Sequence, residues 1–224
     1  MEIKKALLTP NRFSRPETPL KSVKKIAVHY VGNAGSTAIA NRNYFESLQF
    51  GKMSNGEFIF GSSHYIIGLN GEIIQCVPET EWAYCTNKAN AYSVSIECCH
   101  PRADGVFTRE TRKSLVWLCA DLCERYELDP IEDIIRHFDV TGKRCPRAWA
   151  DDPADFTKFK EEVENAMAAE KVYNSLQEMP EWARPAIMNL LNLGYLAGDE
   201  KGNLGLTETA LKVFAVNNRA GLYK

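Results

Sequence analysis

The segment His64-Tyr-Ile-Ile-Gly-Leu-Asn-Gly-Glu-Ile-Ile-Gln-Cys-Val77 leaves the chain few choices of fold. Two β-branched runs flank Asn70-Gly71, a dipeptide suited to the positive φ angles of a tight two-residue turn, so the spacing predicts a β-hairpin. A hairpin cannot stand alone in water, and its apolar runs must find further strands and a covering layer.

Those partners are legible nearby. Val23 to Val31 reads as a strand with Ala27, His29 and Val31 on one face and Ile26, Val28 and Tyr30 on the other. Tyr92-Ser-Val-Ser-Ile-Glu-Cys-Cys99 alternates strictly, with Ser93, Ser95, Glu97 and Cys99 opposite Val94, Ile96 and Cys98, so Glu97 lies on the polar face. Asp133 to His137 forms a short fifth strand.

Helical spacing fills the gaps. Ser36 or Thr37 caps a helix carrying Ile39, Tyr44, Phe45 and Leu48, after which a loop rich in Gly, Ser and Asn runs to about Ser63. Thr108 caps a helix whose Leu115, Leu118, Cys119, Leu122, Cys123 and Tyr126 recur at steps of three and four, with Pro130 stopping it. Pro153 opens another helix with Phe156, Phe159, Val163 and Met167 on its buried stripe. The reading is an α/β fold of mixed α+β type over residues 1–168, a central mixed β-sheet flanked by helices.

A different texture follows over residues 173–224, a small helical module. One helix begins around Met179 to Pro185, holds Ile187, Leu190 and Leu191 and ends at Gly194; another starts at Thr207. Roughly 50 residues give a marginal core, so the module leans on a neighbour, a second copy or a ligand. Trp182, Tyr195 and Tyr223 either stack on sugar rings or pack in its core. Carbohydrate binding and self-association are the two roles open to it.

The near balance of 27 Lys and Arg against 29 Asp and Glu argues against nucleic acid or anionic lipid as partner. No window approaches the ~20 apolar residues of a membrane span, and the N-terminus lacks the apolar stretch of a signal peptide, so the expectation is a chain cytoplasmic when made. The seven cysteines are an odd number scattered through core-like segments, which fits reduced thiols better than a disulfide framework.

His29, at the end of its strand, and His137 with Cys145 eight residues later supply two imidazoles and a thiolate. That is a three-ligand zinc set with the fourth position left to water. Such an ion lowers the pKa of water and polarises a carbonyl, and amide hydrolysis then needs a proton carrier and a donor for the oxyanion. Glu97 and Lys143 are the candidates. Asp139 either holds a ligand's second ring nitrogen or caps the turn through Thr141 and Gly142. His100, beside Pro101, reads as surface, and His64 as a packed residue or a support behind the ligands.

These residues resemble the type 2 N-acetylmuramoyl-L-alanine amidases, the zinc enzymes of phage endolysins and bacterial autolysins that are related to peptidoglycan recognition proteins. The likeness covers about residues 20 to 168. It rests on Ile26-Ala-Val-His29, Ser62-Ser-His-Tyr-Ile-Ile-Gly-x-x-Gly-Glu-Ile-Ile-Gln75, Asn90-Ala-Tyr-Ser-Val-Ser-Ile-Glu97, and Arg136-His137 followed by Lys143-Arg-Cys145-Pro146. The resemblance implies Zn2+ on His29, His137 and Cys145, Glu97 as general base and Lys143 at the oxyanion. It implies substrate contacts at Ser63, His64, Trp82 and Tyr84, and peptidoglycan as the partner, cut between N-acetylmuramic acid and L-alanine. Two departures bear on mechanism. Ser63 stands where some relatives have tyrosine, which puts more weight on Glu97. Trp82-Ala-Tyr-Cys85 stands where many have Trp-His-Ala-Gly, so an imidazole is missing at Ala83, with Tyr84 the candidate to stand in for it. The rival readings are a peptidoglycan-binding module without catalysis and a cysteine peptidase using Cys145 as nucleophile.

Overall fold

The computed structural model describes residues 1–168 and 172–223; Lys224, the last residue of the expected C-terminal module, lies outside them. The chain divides into two compact units, Met1–Met167 and Ala168–Lys224.

The first unit runs β1 (Ile3–Lys5), β2 (Lys25–Tyr30), α1 (Ala38–Ser47), β3 (Met53–Ser54), β4 (Glu57–Phe58), β5 (Tyr65–Ile67), β6 (Ile73–Gln75), β7 (Ser93–Cys98), α2 (Arg109–Tyr126), α3 (Pro130–Asp133), β8 (Ile134–Arg136), α4 (His137–Thr141), α5 (Arg147–Asp151) and α6 (Pro153–Ala168). Six strands form one sheet in the order β1-β6-β5-β7-β2-β8. Only β5 with β6 is antiparallel; the other four pairings are parallel. A sheet of that kind is covered on both faces, which is why its strands read as nearly continuous apolar runs.

Alternation assigns the two layers. Ile26, Val28, Ile67, Val94 and Ile96 join Leu115, Leu118 and Leu122 of α2 and Phe156, Phe159 and Val163 of α6 in the larger core. Ile66, Ile74, Cys76 and Cys99 point the other way and meet Ala38 of α1 and Leu8. The polar face carrying Ser93 and Ser95 is therefore covered over most of its length: both serines are buried. Ser93 Oγ donates to Ala89 O and Ser95 Oγ contacts His64 Nδ1. Only the carboxyl end of that face, at Glu97, remains open.

Several local expectations shift. The β5–β6 connection is a three-residue loop, Leu69-Asn70-Gly71: Gly68 N–H donates to Glu72 O, Gly71 N–H donates to Gly68 O, and only Gly71 takes a positive φ, of 83°. The two-residue turn sits instead in the segment read as a loop, where Asn55 (φ 51°) and Gly56 (φ 82°) join β3 to β4. Thr37 is the cap of α1, but Ile39 and Tyr44 of that helix are exposed. Thr108 caps α2, accepting from Thr111 N–H at 3.0 Å. That helix ends at Glu127, held left-handed at φ 54°, rather than at Pro130. Pro130 opens α3, where its missing N–H costs nothing, behind the Asp129 cap. Met167 on α6 is exposed.

The second unit comprises β9 (Val172–Tyr173), α7 (Arg184–Asn192), β10 (Leu206–Thr207) and α8 (Glu208–Arg219), with β9 and β10 paired antiparallel. Tyr173, Met179, Ala183, Ile187, Leu190, Leu206 and Leu211 form its core, and Tyr223 packs against it. Trp182 and Tyr195 are exposed.

Candidate active site

Three parallel strands end side by side, and the site stands at their carboxyl ends, where sheets of this kind hold ligands. His29 occupies the next-to-last position of β2 and pairs in register with Glu97 of β7. His137 follows β8 directly as the first residue of α4. Gly142, left-handed at φ 75°, ends that short helix, and Phe138 N–H donates to Cys145 O at 2.9 Å. This closed loop is how residues eight apart in sequence come to face one point.

The three sequence-predicted ligands do converge. His29 Nδ1 lies 3.1 Å from His137 Nδ1 and 3.6 Å from Cys145 Sγ, and one ligand atom of each lies within 4.8 Å of the other two. Tetrahedral zinc with Zn–N of about 2.0–2.1 Å and Zn–S of about 2.3 Å sets edges of roughly 3.3 Å between nitrogens and 3.6 Å between nitrogen and sulfur. His29 Nε2 lies 2.9 Å from the buried Thr86 Oγ1. The tautomer in which Nε2–H donates to that hydroxyl leaves Nδ1 bare toward the other two ligands. Thr86 is itself fixed, its N–H donating to Asn90 Oδ1 at 2.6 Å.

Burial dominates the electrostatics of these groups. Burial, with His137 and Lys143 adding to it, keeps the His29 imidazole neutral, and burial followed by Lys143 does the same to His137. Burial, reinforced by Glu97, pushes the Cys145 thiol up to about 12. Burial also raises the Glu97 carboxyl to about 8, against the opposing pull of Lys143 and Cys85. Glu97 Oε1 accepts from the Cys85 thiol at 3.7 Å, while its buried Oε2 has no hydrogen-bond partner among the described residues. A divalent ion would satisfy the sulfur and both bare nitrogens, so the donor set fits zinc.

A cleft of about 460 Å³ opens over these groups, lined by His29, Glu97, His137, Lys143 and Cys145 together with Phe45, Phe60, Tyr84 and Asn87. Of the expected substrate contacts, Tyr84 is there. Ser63, His64 and Trp82 are not among the lining residues. Ser63 is fully buried and donates to Tyr65 O and Ser95 O, tying β5 to β7. His64 bridges Ser95 and Glu81 O, with burial lowering its pKa to about 4. Trp82 donates its backbone N–H to Thr18 O. His100, expected at the surface, is buried against Tyr30 with Nδ1 donating to Arg102 O. Asp139 accepts from Arg136 N–H and pairs with its guanidinium, so it caps α4 and does not orient a ligand.

Two residues at the centre went unread in the sequence. Cys85 shares the reduced-thiol pattern of the other cysteines, although it alone of the seven is only half-buried, and no period or spacing marks Thr86. The available signal was Asn90, whose carboxamide oxygen accepts from both their N–H groups.

A protein from Bacillus subtilis (strain 168), N-acetylmuramoyl-L-alanine amidase BlyA, is 30% identical over 190 residues, covering 76% of this chain and 49% of the relative. N-acetylmuramoyl-L-alanine amidase CwlL from Bacillus licheniformis is 31% identical over 184 residues, covering 77% and 49%. The chain thus spans about half the length of these relatives. Among solved structures, a mutant endolysin from Bacillus subtilis matches with TM-score 0.59 at 25% identity, over 72% of this chain and 98% of that one. The PlyG catalytic domain matches with TM-score 0.60 at 25% identity, over 75% and 97%. A sequence profile described as N-acetylmuramoyl-L-alanine amidase matches residues 19–148. With more than half of its length in that match, the chain belongs to the N-acetylmuramoyl-L-alanine amidase family.

Proposed function

We propose that this chain is a zinc-dependent N-acetylmuramoyl-L-alanine amidase that acts on bacterial peptidoglycan as an endolysin, with residues 1–168 as its catalytic domain. The observation that carries the reading is the meeting of His29 Nδ1, His137 Nδ1 and Cys145 Sγ at the floor of a cleft that also holds Glu97 and Lys143. His29, His137 and Cys145 would hold Zn2+, which when bound supplies a Lewis acid that acidifies water and polarises the scissile carbonyl.

The protein's own groups do the rest. Glu97, half-buried with its enclosed Oε2 unpartnered among the described residues, takes the proton from the attacking water and returns it to the departing L-alanine amine, a task suited to a carboxyl that burial raises toward neutrality. Cys85 orients the carboxylate through its S–H. Lys143, exposed at the cleft rim, brings an ammonium to the developing oxyanion. Thr86 fixes the His29 ring. Tyr84 and Phe60 offer a wall for the sugar or lactyl portion.

The cysteine-peptidase reading has less support, because Cys145 is 2% exposed and its sulfur faces both imidazoles at one point rather than standing free for attack on a substrate. Residues 173–224 we assign to wall binding or self-association.

Mass spectrometry of peptidoglycan digested with the full chain tests the activity. A free lactyl carboxyl together with a new N-terminal L-alanine is the expected product pair. Cleavage within the glycan or within the stem peptide, or intact muropeptides, would overturn it.

A further inference from the structure

We propose that Phe58 and Phe60 form an aromatic platform continuous with the cleft, on which the glycan strand flanking the cleaved muramyl unit lies. The proposal rests on the amidase reading above and extends it to a subsite outside the catalytic centre.

Phe60 lines the cleft beside Tyr84, with ring centroids 5.5 Å apart in a T-shaped contact. From Phe60 the ring contacts lead out of the cleft: Phe13 lies 5.5 Å away and Phe58 lies 5.1 Å beyond it. Phe13 is buried beneath both, whereas Phe58 and Phe60 are 45% and 47% exposed. None of the three belongs to either core of the first unit. Two large rings are thus held at the surface on a buried third, without serving the cores.

The platform is preorganised. Phe58 sits on β4, tied to β3 by the Asn55-Gly56 turn. Ile59 N–H donates to Lys52 O at 2.9 Å, and Gly61 N–H donates to Phe13 O at 3.1 Å, pinning the segment on either side of Phe60. Rings fixed before binding have little entropy left to lose.

The chemistry of the patch favours carbohydrate. A pyranose ring presents a C–H face to an aromatic ring and keeps its hydroxyls toward water, which suits rings that are half-exposed and bordered by polar groups. The Arg12 guanidinium stands 4.8 Å from the Phe13 centroid and 5.5 Å from that of Phe58. It places positive charge beside the rings, complementary to the carboxylates of stem peptides on the same strand.

The test compares kcat/KM on soluble multi-disaccharide peptidoglycan strands with kcat/KM on a single disaccharide-peptide, using the full chain. Phe58→Ser is expected to lower the polymer-to-monomer ratio roughly fivefold to tenfold, the loss of one stacked ring, and Phe58→Tyr to retain it. An unchanged ratio in Phe58→Ser, or equal losses on both substrates, would overturn the platform. If the unaltered chain cleaves neither substrate, the amidase reading fails instead; the platform is then judged by binding of peptide-free glycan strands, where Phe58→Ser must bind at least severalfold more weakly than Phe58→Tyr.

Discussion

Thr86→Val removes one hydroxyl and nothing else of consequence, and it should weaken zinc binding while leaving the fold intact. In the metal-free protein the His29 imidazole can place its proton on either nitrogen. With zinc on Nδ1 the proton must sit on Nε2, which lies 2.9 Å from Thr86 Oγ1 and is enclosed, His29 being 1% exposed. Valine of nearly the same shape offers no acceptor. The cost of a buried, unsatisfied N–H, about 1–3 kcal/mol, therefore falls on the metal-bound state alone. At 1.4 kcal/mol per decade, that is a zinc Kd roughly 5- to 150-fold weaker. Competition against a chromogenic chelator measures it, with thermal unfolding of the metal-free variant as the check on fold. Thr86→Ser keeps the acceptor and should stay within about threefold of the parent. A zinc Kd in Thr86→Val equal to that of the parent would refute the idea that this hydroxyl sets the ligand's tautomer.

Three further outcomes follow from the same structure. Glu97→Gln keeps shape but cannot carry the proton, so kcat on muropeptides should fall by about 10²- to 10⁴-fold with zinc content unchanged; a loss under tenfold would remove Glu97 from proton transfer. For Glu79, burial pushes the carboxyl up, but hydrogen bonds from Arg125, Tyr126 and Tyr65 outweigh it and hold the pKa at about 2. The folded value lies below the unfolded one, so this carboxylate's contribution, on the order of 2 kcal/mol once the exposure of Arg125 is discounted, is present above about pH 5 and lost as pH falls toward 2. Glu79→Gln should accordingly flatten the acid limb of urea-unfolding stability between those limits, and an unaltered slope would contradict it. Leu118→Ala, at a fully buried position of α2, should cost about 2–5 kcal/mol by the same unfolding measurement, with the low end meaning that the larger core closes around the gap.

What could be read from the sequence was whatever a period or a fixed spacing carries. Strict alternation through Ser93 to Cys99 put Glu97 on one face of a strand, and the strand ending at His29 carried the same signal, so their adjacency needed only the pairing of two strands. The ligand trio followed from residue chemistry. What escaped was tertiary or short-range. Thr86 and Cys85 matter because a turn held by Asn90 presents them to His29 and Glu97, and no periodicity marks such a turn. Ser63 and His64 resemble a substrate-facing pair in sequence but spend their polar atoms tying β5 to β7 and to the segment around Glu81. Asn-Gly occurs twice; the copy flanked by long β-branched runs looked like the tight turn, yet the exposed copy at Asn55-Gly56 adopts it, because one added residue at Leu69 lets Gly71 alone take the left-handed conformation.

X-ray absorption at the zinc edge, on the full chain loaded with one equivalent of zinc, bears most directly on the site. One sulfur at about 2.3 Å and three nitrogen or oxygen neighbours at about 2.0–2.1 Å are predicted, with the sulfur lost in Cys145→Ser and kept in Cys85→Ser. A shell without sulfur, or one whose sulfur survives Cys145→Ser, would contradict the account.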